Sequence, residues 1–293
     1  MKFSAIDIGT NAARLLVGEV VEESSKSFVK KISYTRIPLR LGDDVFSMGE
    51  VGAKKKSDLL KTMQAFRIIS DIFEVKRLRA VATSAMREAE NGSRIVQEIK
   101  TNLEIDVQII SGSKEAELIL GTFMLLGLDQ GKPFAVVDVG GGSTEVNIFK
   151  GGEKLASKSF KVGTIRLLKE KIKKEIWSDI TNWIDSSIDP NSDYLVFGTG
   201  GNINKAHKLL GLSSEDAIGL QEMSDLYEVM RVLTPEERMK RFQLRPDRAD
   251  VIVPALDIYI RILNNFRASS IFVPRIGLSD GMIYQMFLEE NLD

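Results

Sequence analysis

The chain has 293 residues, of which 43% are hydrophobic and 28% are charged, and its formal net charge is −1. This balance excludes the basic excess of a general nucleic-acid binder, so we expect no DNA partner. The sequence contains no cysteine and one histidine, His207, which excludes disulfides and metal sites built from thiolates or several imidazoles.

Oxygen atoms are therefore the ligands that a bound metal would use, and this favours Mg²⁺, Mn²⁺ or Ca²⁺. The longest apolar stretch, residues 118–128, is too short to span a bilayer. The N-terminus reads as a strand that carries Asp7 and not as a signal peptide. We expect a cytoplasmic protein with no membrane partner, and a chain of this length is expected to form two domains.

Strand and helix patterns alternate along the first half of the chain. Short apolar runs predict strands at 3–9, 12–21, 27–37, 78–83 and 105–110. Apolar spacing predicts helices over 57–73, over 84–102 with a break at Asn91–Gly92, and from about Lys114 onward. The alternation indicates an α/β sheet with helices on its faces.

The second half of the chain opens with the same kind of strand. Strands are predicted at 133–142, 144–152, 155–163, 194–201 and 270–274. Helices are predicted over 165–186, 202–210, 220–230 and 247–265, and from about Ser279 onward.

One short pattern occurs twice in the sequence. Residues 5–17 and 136–148 align with an offset of 131 (138 − 7), and the matched positions are Asp7 with Asp138, Gly9 with Gly140, and Arg14 with Glu145. In each copy an apolar strand ends in an aspartate, a tight turn follows, and a second strand runs back. This repetition predicts a duplicated two-domain fold, whose halves are expected to face each other across a ligand-binding cleft.

Three glycines follow the second aspartate. Gly140, Gly141 and Gly142 carry no side chains, so their N–H groups can approach an anion closely, and phosphate suits such a loop. The carboxylates of Asp138 and Glu145 would repel a bare phosphate, so we expect a divalent cation between them and the anion. A glycine-rich hairpin with incidental acids is the alternative, which the matching turn in the first copy disfavours.

Other strand-to-helix junctions carry residues suited to anions. Thr83-Ser84 lies where a helix begins, with Arg87 one turn later, and Glu115 lies in the first turn of another helix. Gly200 and Gly201 form a second glycine cluster after a buried strand. Ordinary helix capping or a tight turn is the alternative at each of these places.

The motifs occur in an order that strongly resembles one family. They are AIDIGTNAARLLV (5–17), LRLGDDV (39–45), AVATSAMREAENG (80–92), ISGSKEAEL (110–118), VVDVGGGSTEV (136–146), GTIRL (163–167), FGTGGNINK (197–205), RPDRADVIVPALDIY (245–259) and RIGLSDGMI (275–283). Together they resemble the exopolyphosphatase and guanosine pentaphosphate phosphohydrolase family, within the actin-like ATPase (ribonuclease H-like, sugar-kinase and actin) superfamily. The pair DVGGGSTE and RPDRADVI is the most specific part of the resemblance, which covers nearly the whole chain.

The resemblance implies an α/β fold of duplicated actin-like domains with an interdomain cleft. It implies domain I over residues 1–124 and domain II over residues 125–279, with a last helix at about 280–293 that packs back on domain I. This arrangement is similar to the short, two-domain form of the family.

The resemblance also implies hydrolysis of a terminal phosphoanhydride bond of inorganic polyphosphate or guanosine pentaphosphate, with Mg²⁺, Mn²⁺ or Ca²⁺ as cofactor. Glu115 matches the family's catalytic glutamate, which orients or deprotonates the attacking water with help from Asp138 and Glu145. The cation is expected at Asp7, Asp138 and Glu145. The residues expected to bind phosphate are Gly9, Thr10, Asn11, Arg14, Arg87, Gly140, Gly141, Gly142, Ser143, Gly200 and Gly201.

The sequence also departs from the family pattern. Lys114 replaces a glutamate, Ala12 replaces a serine, and Ser279 and Asp280 replace an arginine and a glutamate. Because Glu115 is retained, we expect activity. The alternatives are a kinase of the same superfamily that phosphorylates a sugar or carboxylate from ATP, and a non-catalytic sensor of polyphosphate or an alarmone. A homodimer is a further expectation from the resemblance.

Overall fold

The computed structural model describes residues 1–23, 26–123, 132–169, 172 and 174–291. The chain divides into two compact units: a first unit of Met1–Leu128 with Ile276–Asp293, and a second unit of Asp129–Arg275. The predicted boundary between residues 124 and 125 lies outside the described residues. Within the described ranges, no helix is long and apolar enough to cross a membrane.

A five-stranded mixed sheet forms the centre of the first unit. Its strands are β1 (Phe3–Ile8), β2 (Ala13–Glu23), β3 (Lys26–Ile37), β4 (Arg77–Ala82) and β5 (Val107–Ile109). They lie in the order β3-β2-β1-β4-β5, with β1 antiparallel to β2 and parallel to β4, and β4 parallel to β5. The central strand β1 is buried along its whole length, as its unbroken apolar run predicts.

Helices alternate with these strands. They are α1 (Leu41–Met48), α2 (Ala53–Ile72), α3 (Ser84–Glu88), α4 (Gly92–Leu103) and α5 (Gly112–Phe123). The predicted break in the helix over 84–102 is confirmed, because α3 and α4 are separate and a side chain on Gly92 would collide with the Met86 carbonyl. The segment LRLGDDV, for which no helix was predicted, begins α1 after Arg40, whose φ is 51°.

The second unit is built on a four-stranded sheet. Its strands are β6 (Phe134–Val139), β7 (Thr144–Lys150), β8 (Glu153–Phe160) and β9 (Leu195–Thr199), in the order β8-β7-β6-β9. Phe272 adds a parallel bridge to Phe197 at the β9 edge. The short strands β10 (Ile218–Gly219) and β11 (Ser270–Ile271) pair separately.

The helices of the second unit pack around this sheet. They are α6 (Thr164–Lys169), α7 (Glu175–Ser187), α8 (Gly201–Leu209), α9 (Leu220–Arg231), α10 (Pro235–Phe242), α11 (Pro246–Ala249) and α12 (Ile252–Phe266). The single helix predicted over 165–186 is wrong, since α6 and α7 are separate helices. Residues of α12, including Tyr259, belong to the same buried cluster as the inner residues of β6 and β7.

The last helix, α13 (Leu278–Glu290), belongs to the first unit, where it packs on α5, β1 and β2. It approaches α5 closely at Gly281, where a side chain would collide with the Leu118 carbonyl. At its far end, Arg79 of β4 binds the Glu289 carboxylate through Nη2 at 2.8 and 2.9 Å.

The two sheets repeat one topology. The order β3-β2-β1-β4 in the first unit matches β8-β7-β6-β9 in the second, with the same strand directions. Asp7 lies opposite Arg14 in the first hairpin, and Asp138 lies opposite Glu145 in the second. The duplicated α/β fold predicted from the repeat is therefore confirmed.

Candidate active site

The turn of the first hairpin is held by one hydrogen bond across it and two from the segment leading into α1. The Gly9 N–H donates to the Ala12 carbonyl at 3.1 Å. The carbonyls of Thr10 and Asn11 accept hydrogen bonds from the N–H groups of Gly42 (3.0 Å) and Arg40 (2.9 Å). Three of the predicted phosphate-binding residues, Gly9, Thr10 and Asn11, thus lie in one buried turn held by backbone hydrogen bonds.

The turn of the second hairpin has the same internal bond. The Gly140 N–H donates to the Ser143 carbonyl at 3.0 Å, at positions that match Gly9 and Ala12 with the offset of 131. Ala12, one of the departures from the family pattern, therefore supplies the same backbone acceptor as its counterpart Ser143. Its missing hydroxyl does not alter this bond.

Helix α6 orients the glycine loop of the second unit. The N–H of Thr164 donates to the Gly140 carbonyl at 3.0 Å, and the N–H of Ile165 donates to the Gly141 carbonyl at 2.8 Å. The buried Arg166 side chain donates from Nε to the Gly142 carbonyl at 2.7 Å. Three successive carbonyls of the loop therefore face α6.

In a trans peptide the C=O and the following N–H point in opposite directions, and the described chain contains no cis peptide. The N–H groups of Gly141, Gly142 and Ser143 consequently point away from α6. Successive backbone N–H groups on one side of a glycine-rich turn are a common anion-binding arrangement. Gly163 allows the close approach, since a side chain there would overlap the loop backbone.

The two matched aspartates differ in the charge of the residue opposite them, which is a base in the first unit and an acid in the second. In the first unit the Arg14 guanidinium forms an ion pair with Asp7. In the second unit Asp138 lies opposite a second acid, Glu145, whose Oε1 accepts hydrogen bonds from the hydroxyls of Ser143 and Ser159, both at 2.7 Å. The first hairpin therefore carries an acid paired with a base, and the second carries two acids, which suit a cation.

The strand that follows each hairpin, β3 or β8, pairs with the second strand of that hairpin and places one more residue beside it. Arg36 of β3 lies opposite Arg14, and Ser159 of β8 lies opposite Glu145. Neither Arg36 nor Ser159 was predicted from the sequence, because only the strand register places them beside the hairpin.

The parallel strands of the first unit bring three further segments together. The carboxyl ends of β1, β4 and β5 are adjacent, because Ala82 pairs with both Ile8 and Ile109. Arg87 of α3 reaches across this edge and donates from Nη1 to the Ile110 carbonyl at 2.7 Å. Glu115 lies at the same edge, in the first turn of α5, which begins just after β5.

The departures at Lys114 and Asp280 have local partners in the first unit. The Lys114 ammonium lies 2.6 Å from a carboxylate oxygen of Glu117. Asp280 is buried, accepts a hydrogen bond from the Gly277 N–H at 3.0 Å and lies 3.0 Å from the Lys31 ammonium. Both side chains therefore have partners within their own unit.

The second glycine cluster lies beside Asp138. Gly200 has a φ of 103°, and a side chain there would lie 2.9 Å from a carboxylate oxygen of Asp138. A side chain on Gly201 would collide with the guanidinium of Arg248. The predicted residues Asp138, Glu145, Gly200 and the loop 140–143 are thus gathered at one edge of the second sheet.

Tyr259 supports this edge from α12. Its hydroxyl donates to the Thr199 carbonyl at 2.5 Å and accepts a hydrogen bond from the Val139 N–H at 3.3 Å. Burial, with Asp138 and Glu145 nearby, raises the pKa of Tyr259 well above its usual value. Tyr259 therefore stays protonated and continues to donate to β9 at neutral pH.

A metal ion would find oxygen ligands in the second unit. In the part of the chain that the structure describes, no three or more Asp, Glu, His or Cys side chains are clustered to hold a metal. Asp138 and Glu145 supply two carboxylates on neighbouring strands. Mg²⁺ commonly takes one or two carboxylates and completes its shell with water and substrate phosphate, so this pair fits Mg²⁺.

Comparisons with known proteins identify relatives of this chain in sequence and in fold. A family model described as the Ppx/GppA phosphatase family matches residues 20–290. A crystal structure of an exopolyphosphatase from Cytophaga hutchinsonii has the same fold, with a TM-score of 0.82 at 24% identity over 99% of this chain and 98% of that chain.

Two curated relatives are similar in sequence. Exopolyphosphatase 1 of Mycobacterium bovis is 26% identical over 68% of this chain and 59% of its own. A guanosine-5'-triphosphate,3'-diphosphate pyrophosphatase of Photobacterium profundum is 24% identical over 97% of this chain and 59% of its own. The chain thus spans about three-fifths of the length of each of these relatives.

Proposed function

Because the chain belongs to the Ppx/GppA phosphatase family, we propose that it hydrolyses the terminal phosphoanhydride bond of inorganic polyphosphate or guanosine pentaphosphate. The observation that carries this proposal is the loop of Gly140 to Ser143, in which the N–H groups of Gly141, Gly142 and Ser143 point away from α6, next to the paired residues Asp138 and Glu145. Phosphoryl transfer depends mainly on positioning and charge neutralisation, and these groups supply both.

In the second unit, the loop N–H groups bind phosphate oxygens, and Asp138 and Glu145 hold the divalent cation. When bound, the cation neutralises charge that develops on the phosphates. The hydroxyls of Ser143 and Ser159 orient Glu145, since both donate to the same carboxylate oxygen.

In the first unit, Arg14 and Arg36 bind phosphate oxygens, and Arg87 serves the same purpose at the end of β4. We assign Asp7 to orienting Arg14 and not to the cation, because the two side chains form an ion pair. The turn of Gly9 to Asn11 supplies backbone groups to the same anion.

Glu115 is the base in this proposal. Its carboxylate orients a water molecule and accepts its proton, while the water oxygen attacks the terminal phosphorus and the anhydride P–O bond breaks. Inorganic phosphate and a substrate shortened by one phosphoryl group are the products. A homodimer stays a prediction from the family resemblance.

Replacing Glu115 by glutamine tests the proposal. The amide keeps the size of the side chain and cannot accept the proton, so turnover should fall by about 10²- to 10⁴-fold while substrate binding changes little. Phosphate release from polyphosphate, together with binding measured by calorimetry, provides the two readouts.

Glu117→Gln is the matched control, since Glu117 lies in the same helix and pairs with Lys114 at the surface. This variant should keep wild-type turnover. Wild-type turnover in Glu115→Gln would remove Glu115 from the mechanism. If the wild-type protein binds polyphosphate tightly and shows no turnover, the hydrolase hypothesis is contradicted and the sensor hypothesis is favoured.

A further inference from the structure

Thr199 is the last residue of β9 and lies beside Asp138. The two residues are paired in parallel register, so their side chains lie on the same face of the sheet. Thr199 is 1% exposed, and its hydroxyl has no hydrogen-bond partner among the described residues. A polar side chain that is buried without a partner requires an explanation.

The backbone at this position is fixed. The Thr199 carbonyl accepts the hydrogen bond from the Tyr259 hydroxyl at 2.5 Å, and the strand pairs with β6 through residue 199. A buried hydroxyl without a partner is destabilising, whereas valine has the same shape and would avoid this cost. Stability alone therefore does not account for threonine at position 199.

The duplication supplies an internal comparison. Val81 of β4 pairs with Asp7 as Thr199 pairs with Asp138, and Val81 is buried as well. In the first unit, the aspartate already has an arginine, Arg14, as its partner. Threonine therefore occurs on the strand beside two paired acids, Asp138 and Glu145. Valine occurs on the strand beside a paired acid and base, Asp7 and Arg14.

We infer that the Thr199 hydroxyl positions a water molecule in the shell of the divalent cation held by Asp138 and Glu145. This inference rests on the proposed function, which places the cation there. Mg²⁺ and Mn²⁺ retain several waters when one or two carboxylates bind them, and those waters need oriented acceptors. Thr199 is a positioning residue, since it acts on the cation through water.

Direct binding of Mn²⁺ tests this inference without substrate or turnover. Outer-shell partners typically contribute 10- to 100-fold to metal affinity. Electron paramagnetic resonance titration should therefore show about tenfold weaker Mn²⁺ binding in Thr199→Val, and near wild-type binding in Thr199→Ser, which keeps the hydroxyl. Thermal stability of Thr199→Val should equal or exceed that of the wild type.

Thr62→Val is the matched control. The Thr62 hydroxyl is also largely buried, but it donates to the Asp58 carbonyl at 2.7 Å in α2 of the first unit. This variant removes the same hydroxyl group, so it should lose stability and leave Mn²⁺ affinity unchanged.

The outcomes separate the inference from the proposed function. If Asp138→Asn loses Mn²⁺ binding and Thr199→Val retains wild-type affinity, the cation assignment stands and the role of Thr199 is overturned. Equal losses in Thr199→Val and Thr199→Ser would also overturn it, because the hydroxyl would not be the cause. A wild-type protein that binds no Mn²⁺ would overturn both.

Discussion

Gly200 shows how a single residue couples backbone conformation to the candidate site. Its φ of 103° and ψ of 164° lie in a region that is essentially restricted to glycine. Gly200→Ala should destabilise the protein by about 1–3 kcal/mol. It should also abolish cation-dependent phosphate release, because the new methyl group displaces the Asp138 carboxylate. Urea unfolding and a phosphate assay measure the two effects.

Gly211→Ala separates the two effects. Gly211 also has a positive φ, 71°, but a side chain there meets open space. This variant should lose about 1–2 kcal/mol of stability and keep full activity. An active Gly200→Ala variant would show that Asp138 is not required in its present position.

Asp280 makes the stability of the first unit depend on pH. Burial raises the pKa of its carboxyl, and the Lys31 ammonium and the Gly277 N–H oppose the rise without cancelling it. The folded state therefore holds the Asp280 proton to a higher pH than the unfolded state does. Its contribution to the free energy of unfolding is fully present below the unfolded pKa and is lost as pH rises through the folded pKa.

Asp280→Asn should remove this dependence. The difference in unfolding free energy, variant minus wild type, should increase as pH rises from below the usual carboxyl pKa of 3.8 to neutrality. Urea unfolding at several pH values measures it. A difference that stays constant or decreases with rising pH would contradict the assigned shift.

At the scale of elements, α13 is held to the first unit by close helix packing. Gly281→Ala places a methyl group against the Leu118 carbonyl of α5, and overpacking of this kind typically costs about 1–3 kcal/mol. The unfolding free energy should fall by that amount, which chemical denaturation followed by circular dichroism can measure.

Gly121→Ala is the control within the same helix pair. Its nearest neighbour would be a ring carbon of Tyr284 at 3.9 Å, an ordinary contact distance. Because alanine is favoured over glycine inside a helix, this variant should gain about 0.5–1 kcal/mol. Equal changes in unfolding free energy in the two variants would contradict a steric cost particular to Gly281.

The elements with a clear period were predictable from the sequence. The break at Asn91–Gly92 and the two hairpins were predicted, because glycine placement and strand alternation are local signals. The division of residues 165–186 into α6 and α7 was not predicted.

The candidate site residues likewise divide into those predicted from the sequence and those that were not. Asp138, Glu145 and the glycine loop were identified because they are contiguous and recur as a pattern. Arg36 and Thr199 were not identified, since their places depend on which strands pair and in which register. The ion pair of Asp7 with Arg14 likewise follows from strand pairing, and it is the basis on which we propose that Asp7 orients Arg14.

At the scale of the whole molecule, the same hairpin occurs twice, and the residue opposite its aspartate differs in charge between the two copies. The first unit pairs its aspartate with an arginine, and the second unit pairs its aspartate with a glutamate. Duplication preserved the turn hydrogen bond from Gly9 to Ala12 and from Gly140 to Ser143. The side chains that follow the turns have diverged, since one hairpin pairs an acid with a base and the other holds two acids.

The most direct test of the proposed hydrolysis follows the oxygen of the attacking water. The wild-type protein is incubated with Mg²⁺ in ¹⁸O-labelled water, with polyphosphate and with guanosine pentaphosphate in separate reactions. Released phosphate should carry one solvent oxygen by mass spectrometry, at a rate lost in Glu115→Gln. Phosphoryl groups that leave the substrate only when an acceptor is supplied, with no label, would contradict hydrolysis and indicate a kinase.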